Sequence, residues 1–144
     1  MSTFKTSRAF QASAATVFAA FSAPERLARW WGPDGFSNTF EVFEFRNGGH
    51  WRFTMHGPDG ARYPNEAVFE RIDAEREVVL RHVSQPHFTL SIRLEATDQG
   101  TTVHWEQAFD SPEVAAALRP IVEPANEQNL RRWQAELDRP GQAG

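Results

Sequence analysis

The groups in this chain that can move a proton near neutral pH are five histidines and a scatter of carboxylates. The histidines are His50, His56, His82, His87 and His104, and none forms the i, i+4 helical pair or close cluster that a zinc site needs. Cysteine is absent, which removes disulfides, thiolate-held zinc and a thiol nucleophile. No nucleophile-elbow pattern frames a serine, so acyl transfer by a Ser–His–acid triad has no signature here. No metal and no cofactor is expected. What remains is acid/base chemistry by one group whose pKa is tuned by burial in an apolar pocket, which suffices for proton transfer beside a carbonyl. His82 is the first candidate and Glu41 the second. The competing reading makes His82 and Gln107 core residues, satisfied by hydrogen bonds to each other or to water.

Such groups need elements to hold them. The chain has 144 residues, 40% hydrophobic and 24% charged, which fits one globular domain spanning residues 1–144. The net charge of −4 is scattered, with no basic stripe to neutralise phosphates, so nucleic acid is not an expected partner. No apolar run approaches the roughly 20 residues of a membrane span, and the first residues carry no signal pattern, so a soluble cytoplasmic protein is expected. The unusual feature is 12 Phe and 5 Trp against 1 Tyr: rings in this number either fill a core or wrap a cavity.

Residues 4–10 alternate as a strand, and Ser13 caps a helix over residues 14–21. Pro24 opens a second short helix over residues 25–31, stopped by Gly32-Pro33. The period then switches to two. Strands are expected at residues 39–45, 51–56, 65–73, 77–84, 88–97 and 101–109, joined by short turns such as Arg46-Asn47-Gly48-Gly49, so they should form an antiparallel meander. Ser111-Pro112-Glu113 starts a helical tail that Pro120 and Pro124 should break or kink. From Ala125, the residues Leu130, Trp133 and Leu137 give one apolar face, and Pro140-Gly141 ends the helix.

A sheet with one apolar face must cover it, and the long helix is the natural cover. Alternation assigns Glu41, Phe43 and Phe45 to one side of their strand, and groups Trp51 with Phe53 and Met55, Leu80 with His82, Leu90 with Ile92, and Trp105 with Gln107. The expected pocket lining is Trp31, Phe43, Trp51, Phe53, Met55, Phe69, Leu80, His82, Leu90, Ile92, Trp105, Gln107 and Trp133. Trp30 and Trp31 are adjacent on a helix, about 100° apart, so both should not face one cavity.

The segment from Thr6 to Phe21 resembles the opening of the SRPBCC, or START-like, superfamily. Ala23-Pro24-Glu25-Arg26-Leu27-Ala28-Arg29-Trp30-Trp31-Gly32-Pro33 is similar to the most recognisable stretch of the branch named after the activator of the heat-shock-protein-90 ATPase. Glu44-Phe45-Arg46-Asn47-Gly48-Gly49-His50-Trp51-Arg52-Phe53 resembles that branch's hairpin, with Asn47 where Pro is usual, and Met55 to Gly60 resembles its next turn. The final helix lacks the branch's Gly-Trp pair. The resemblance implies an α+β helix-grip fold (START/Bet v 1-like), with seven curved antiparallel strands on a long C-terminal helix and two short helices after the first strand.

It also implies a hydrophobic or amphipathic small-molecule ligand: a lipid, an aromatic or a polyketide-like compound. An enzyme of the polyketide cyclase or dehydratase type using His82, and a co-chaperone-like interaction protein, are the other function classes it admits. The namesake's partner-contacting region includes a further domain for which 144 residues leave no room. Either a monomer or a homodimer paired through a strand edge is expected.

Overall fold

A computed structural model of the protein describes residues 2–139. Its elements run β1 (Thr3–Phe10), α1 (Ala14–Ser22), α2 (Pro24–Trp30), β2 (Ser37–Phe43), β3 (His50–His56), β4 (Arg62–Asp73), β5 (Glu77–His82), β6 (Phe88–Thr97), β7 (Gly100–Phe109) and α3 (Pro112–Leu137). The strands make one antiparallel sheet in the order β1-β7-β6-β5-β4-β3-β2, so five hairpins carry the meander and β1 returns to the outer edge of β7. With α3 against the curved sheet and the two short helices after β1, this is the α+β helix-grip arrangement. Among the described residues, no helix is long and apolar enough to cross a membrane.

The caps act as the sequence predicts. The Ser13 hydroxyl accepts from the Thr16 N–H at 3.2 Å, and Ser111 accepts from Val114 at 3.2 Å, each satisfying a donor that the first helical turn leaves free. Pro24 sits in the first turn of α2, with Glu25 beside it and Arg29 in the last turn, matching the helix dipole at both ends.

Two expectations are corrected. The break at Pro120 and Pro124 does not occur, because α3 is one helix of 26 residues with both prolines inside it. Each proline removes one backbone donor, at a cost of about 3 kcal/mol in a helix interior. Both are exposed, as is Ala116, so the carbonyls of Ala116 and Pro120 that lose their partners face water. The second correction concerns β2, where the pairing with β3 shifts between Phe40 and Val42. This bulge interrupts strict alternation, so Phe40 and Phe43 share the inner side, their rings 5.6 Å apart, while Glu41 is exposed. The helix stop expected at Pro140-Gly141 lies outside the described residues.

The core is aromatic and sits under α1, α2 and the second half of α3. Trp30, Trp51, Trp133, Phe10, Phe21 and Phe69 are all fully buried. A second, smaller cluster of Phe4, Phe109 and Ala115 joins the first turns of α3 to the far end of β1 and β7. The two clusters sit at opposite ends of the sheet's inner face.

Candidate functional site

Between these clusters the sheet and α3 leave a cavity of about 630 Å³. β3 supplies Trp51, Phe53 and Met55, β5 supplies Leu80 and His82, β6 supplies Phe88 and Leu90, and β7 supplies Trp105, Gln107 and Phe109. These are alternate residues on one face of adjacent strands, and the register sets Leu80 opposite Leu90, and Leu90 opposite Gln107. α3 contributes Leu118, Ile121, Val122, Ala125, Asn126 and Asn129. Tyr63 and Ile121 line it while being 46% and 66% exposed, which places the mouth between the start of β4 and α3.

The third wall is the loop after α2, from which Trp31, Gly32, Pro33 and Phe36 face the cavity. Trp31 ends the helix in an extended conformation and so turns away from the helical direction of Trp30. Its ring packs 4.9 Å from Trp51 and 5.8 Å from Trp105. Gly32 follows at φ +97, a left-handed value, and a Cβ there would lie 2.7 Å from the Met55 methyl. The loop is held by Arg132 of α3, whose guanidinium donates to the backbone carbonyls of Arg29, Trp31, Gly32, Pro33 and Phe36 at 2.7–3.3 Å. Burial draws Arg132 below its ordinary pKa. Arg131 adds an ion pair to Asp34, and Gln128 accepts from the Asp34 N–H at 3.1 Å.

His82 is the one buried histidine, 4% exposed, with its ring stacked on Phe88 at 4.5 Å. Nδ1–H donates to the Pro86 carbonyl at 2.7 Å, and Nε2 lies 2.7 Å from the side-chain oxygen of Asn65. Two acceptors favour an imidazolium, but burial opposes the charge and wins, holding His82 below its ordinary value despite the carbonyls of Pro86 and Ser84. Neither ring nitrogen is free for a ligand. Gln107 accepts from the Asn126 amide at 3.1 Å, and the Asn129 amide donates to the Trp30 carbonyl at 3.0 Å. The indole N–H groups of Trp51 and Trp105 are buried with no acceptor among the described residues.

Of the expected lining, Trp31, Trp51, Phe53, Met55, Leu80, His82, Leu90, Trp105 and Gln107 meet in this cavity. Phe43, Phe69, Ile92 and Trp133 sit instead in the packed cluster. They share the inward side but lie farther along it: Ile92 is two residues, about 6.6 Å, beyond Leu90. Glu41 faces outward, where its carboxylate accepts from the Thr54 hydroxyl at 3.4 Å. Sequence reasoning missed the α3 wall, Phe36, Tyr63 and Asn65. The spacing of Leu118, Val122 and Ala125 on a helical face was the available signal, masked by the two prolines. His82 and Gln107 do not bond to each other; each has a different partner.

The chain was compared with known proteins. A family model described as "Activator of Hsp90 ATPase homolog 1-like protein" matches residues 11–139. No curated protein matches the sequence. Among solved structures, a protein from Arthrobacter aurescens is similar at 25% identity and TM-score 0.89, covering 97% of this chain and 88% of that one. A protein from Nitrosomonas europaea is similar at 19% identity and TM-score 0.86, covering 94% of each chain. The AHSA1-like protein from Aeromonas hydrophila is similar at 16% identity and TM-score 0.78, covering 98% of this chain and 95% of that one.

Proposed function

The chain belongs to the activator of Hsp90 ATPase homolog 1-like family, and from that premise we propose that it binds a hydrophobic or amphipathic small molecule in the cavity under α3. The observation that carries this reading is the cavity's construction. Its volume of about 630 Å³ falls in the range that encloses a drug-sized ligand, and its wall is mostly aromatic and aliphatic, with a few polar groups. Burying apolar ligand surface against such a wall contributes roughly 25 cal/mol per Å², of which association costs leave a part as affinity.

Acid/base catalysis by His82 is the less supported reading, because Pro86 and Asn65 occupy both ring nitrogens. A catalytic base must reach its proton directly or through one water. Turnover of any bound ligand that falls on His82→Ala substitution would restore that reading.

Trp31, Trp51 and Trp105 stand in the wall, so ligand entry reads out as fluorescence quenching. Titration with long-chain alcohols, flavonoid-like aromatics and fused-ring hydrocarbons should give saturable quenching for at least one class. Ala125→Trp, which fills the cavity from α3, should abolish it. Flat titrations in every class overturn the proposal.

A further inference from the structure

The polar groups of the cavity wall have a composition that selects among apolar ligands. Gln107 of β7 and Asn126 of α3 face each other across it, joined by one hydrogen bond at 3.1 Å. A carboxamide has both a carbonyl and an NH₂ group. Whichever way the two amides are turned, one bond between them uses one donor group and one acceptor, and leaves one of each. The leftover NH₂ and carbonyl have no other partner among the described residues. Asn129, one turn further along α3, is oriented by its bond to the Trp30 carbonyl, which can only accept, so its own oxygen is a further unused acceptor.

Charge is missing from this set. Among the described residues, the one permanently charged side chain lining the cavity is that of Arg62, exposed near the mouth, and the nitrogens of His82 are already engaged. An anionic ligand head would lose its water here without meeting a cation, which costs several kcal/mol. A pure hydrocarbon would strip water from the Gln107 and Asn126 amides and return nothing to them.

We propose that the Gln107–Asn126 pair is a recognition point for an uncharged group that both donates and accepts hydrogen bonds, such as a carboxamide or a hydroxyl beside a carbonyl, carried on an apolar skeleton. This rests on the binding function proposed above and narrows it: the cavity takes neutral hydroxylated or amide-bearing aromatics and discriminates against carboxylates.

The test uses three probes on one skeleton at neutral pH: phenanthrene, phenanthrene carboxamide and phenanthrene carboxylate, each titrated against tryptophan fluorescence. The carboxamide should bind at least about tenfold more tightly than either of the others, the size of one well-made hydrogen bond in a desolvated site. Gln107→Leu and Asn126→Leu should each abolish the carboxamide's advantage over phenanthrene, and a cooperative urea transition shows separately that each variant is folded. Carboxylate affinity equal to that of the carboxamide, or a preference that survives both substitutions, overturns this inference and leaves the binding function standing. No binding by any of the three overturns this inference, and the binding function falls with it only if the titrations with long-chain alcohols and flavonoid-like aromatics are flat as well.

Discussion

The indole of Trp30 lies flat on the indole of Trp133, ring centroids 4.4 Å apart and planes 12° apart. Each ring also donates its N–H to a carbonyl of α1, Trp30 to Ala20 at 3.0 Å and Trp133 to Val17 at 3.2 Å. The pair therefore joins α1, α2 and α3 at one end of the cavity. Trp133→Ala removes a fully buried indole and should cost about 3–5 kcal/mol. Trp133→Phe keeps a ring but loses the N–H donor and volume, and should cost about half as much. Urea denaturation measures both; equal midpoints for the wild type and Trp133→Ala would show that the stack does not hold the helices.

Arg132 serves the cavity without touching a ligand's chemistry. Its planar guanidinium meets the Arg29 carbonyl in the last turn of α2 and four carbonyls of the loop that follows, which a lysine ammonium with three donors cannot. Arg132→Lys should destabilise the protein by about 2 kcal/mol and release Trp31 and Phe36 from their positions. The loss of phenanthrene affinity should exceed what partial unfolding explains, when measured at a temperature where the variant is still folded. Unchanged affinity there would mean that the loop keeps its shape without Arg132.

The strands, their antiparallel order and most of the inner face were legible because turn residues and period-two alternation specify them. Leu80, Leu90 and Trp105 follow from that pattern alone. Alternation fixes a side and carries no information on position along the strand, so it did not separate Leu90, in the cavity, from Ile92, in the core. It also fails at a bulge, which is why Glu41 was read as inward when it is exposed. The α3 wall was hidden by Pro120 and Pro124, whose local penalty predicts an interruption that exposure to water makes tolerable. Asn47, where the resembled hairpin has proline, shows its use only in three dimensions: its side chain accepts from the Ile72 N–H at 2.7 Å, satisfying a donor next to the bulge in β4.

Acid should weaken the fold in two separate steps. His82 binds its proton less readily when folded than at its ordinary value of 6.5. The unfolded chain therefore takes up more protons as pH falls, and stability present above about pH 6.5 is lost as pH drops from there through the folded value. Glu136 gives the second step. Its carboxyl is 2% exposed, and burial pushes its pKa up, but hydrogen bonds from Arg29, Arg26 and Arg139 outweigh that and hold it below its ordinary value of 4.5. That contribution is present above about pH 4.5 and lost as pH falls through the lowered value. In urea melts across this range, His82→Phe should flatten the first slope and leave the second. A first slope that persists in the variant would assign it to another group.

Gly48 and Gly49 are neighbours in one turn, yet their substitutions should differ widely. Gly48 has φ +79 and open space around a hypothetical Cβ, so Gly48→Ala meets only the left-handed backbone penalty, about 1 kcal/mol. A Cβ on Gly49 would fall 1.9 Å from the Glu44 carbonyl oxygen and 3.0 Å from that of Arg46, both backbone atoms that cannot move aside alone. The turn is also stitched to β4, because the Gly48 N–H donates to the Phe69 carbonyl at 2.6 Å and the Phe69 N–H donates to Gly49 at 2.9 Å. Relieving the clash breaks these bonds and shifts Phe69, which packs 5.7 Å from Trp51 in the cavity wall. Gly49→Ala should therefore cost about 3 kcal/mol or more and weaken ligand quenching, whereas Gly48→Ala leaves quenching intact. Denaturation midpoints and one probe titration on each variant decide it: similar midpoints for the two would mean that the Glu44 carbonyl moves out of the way at little cost.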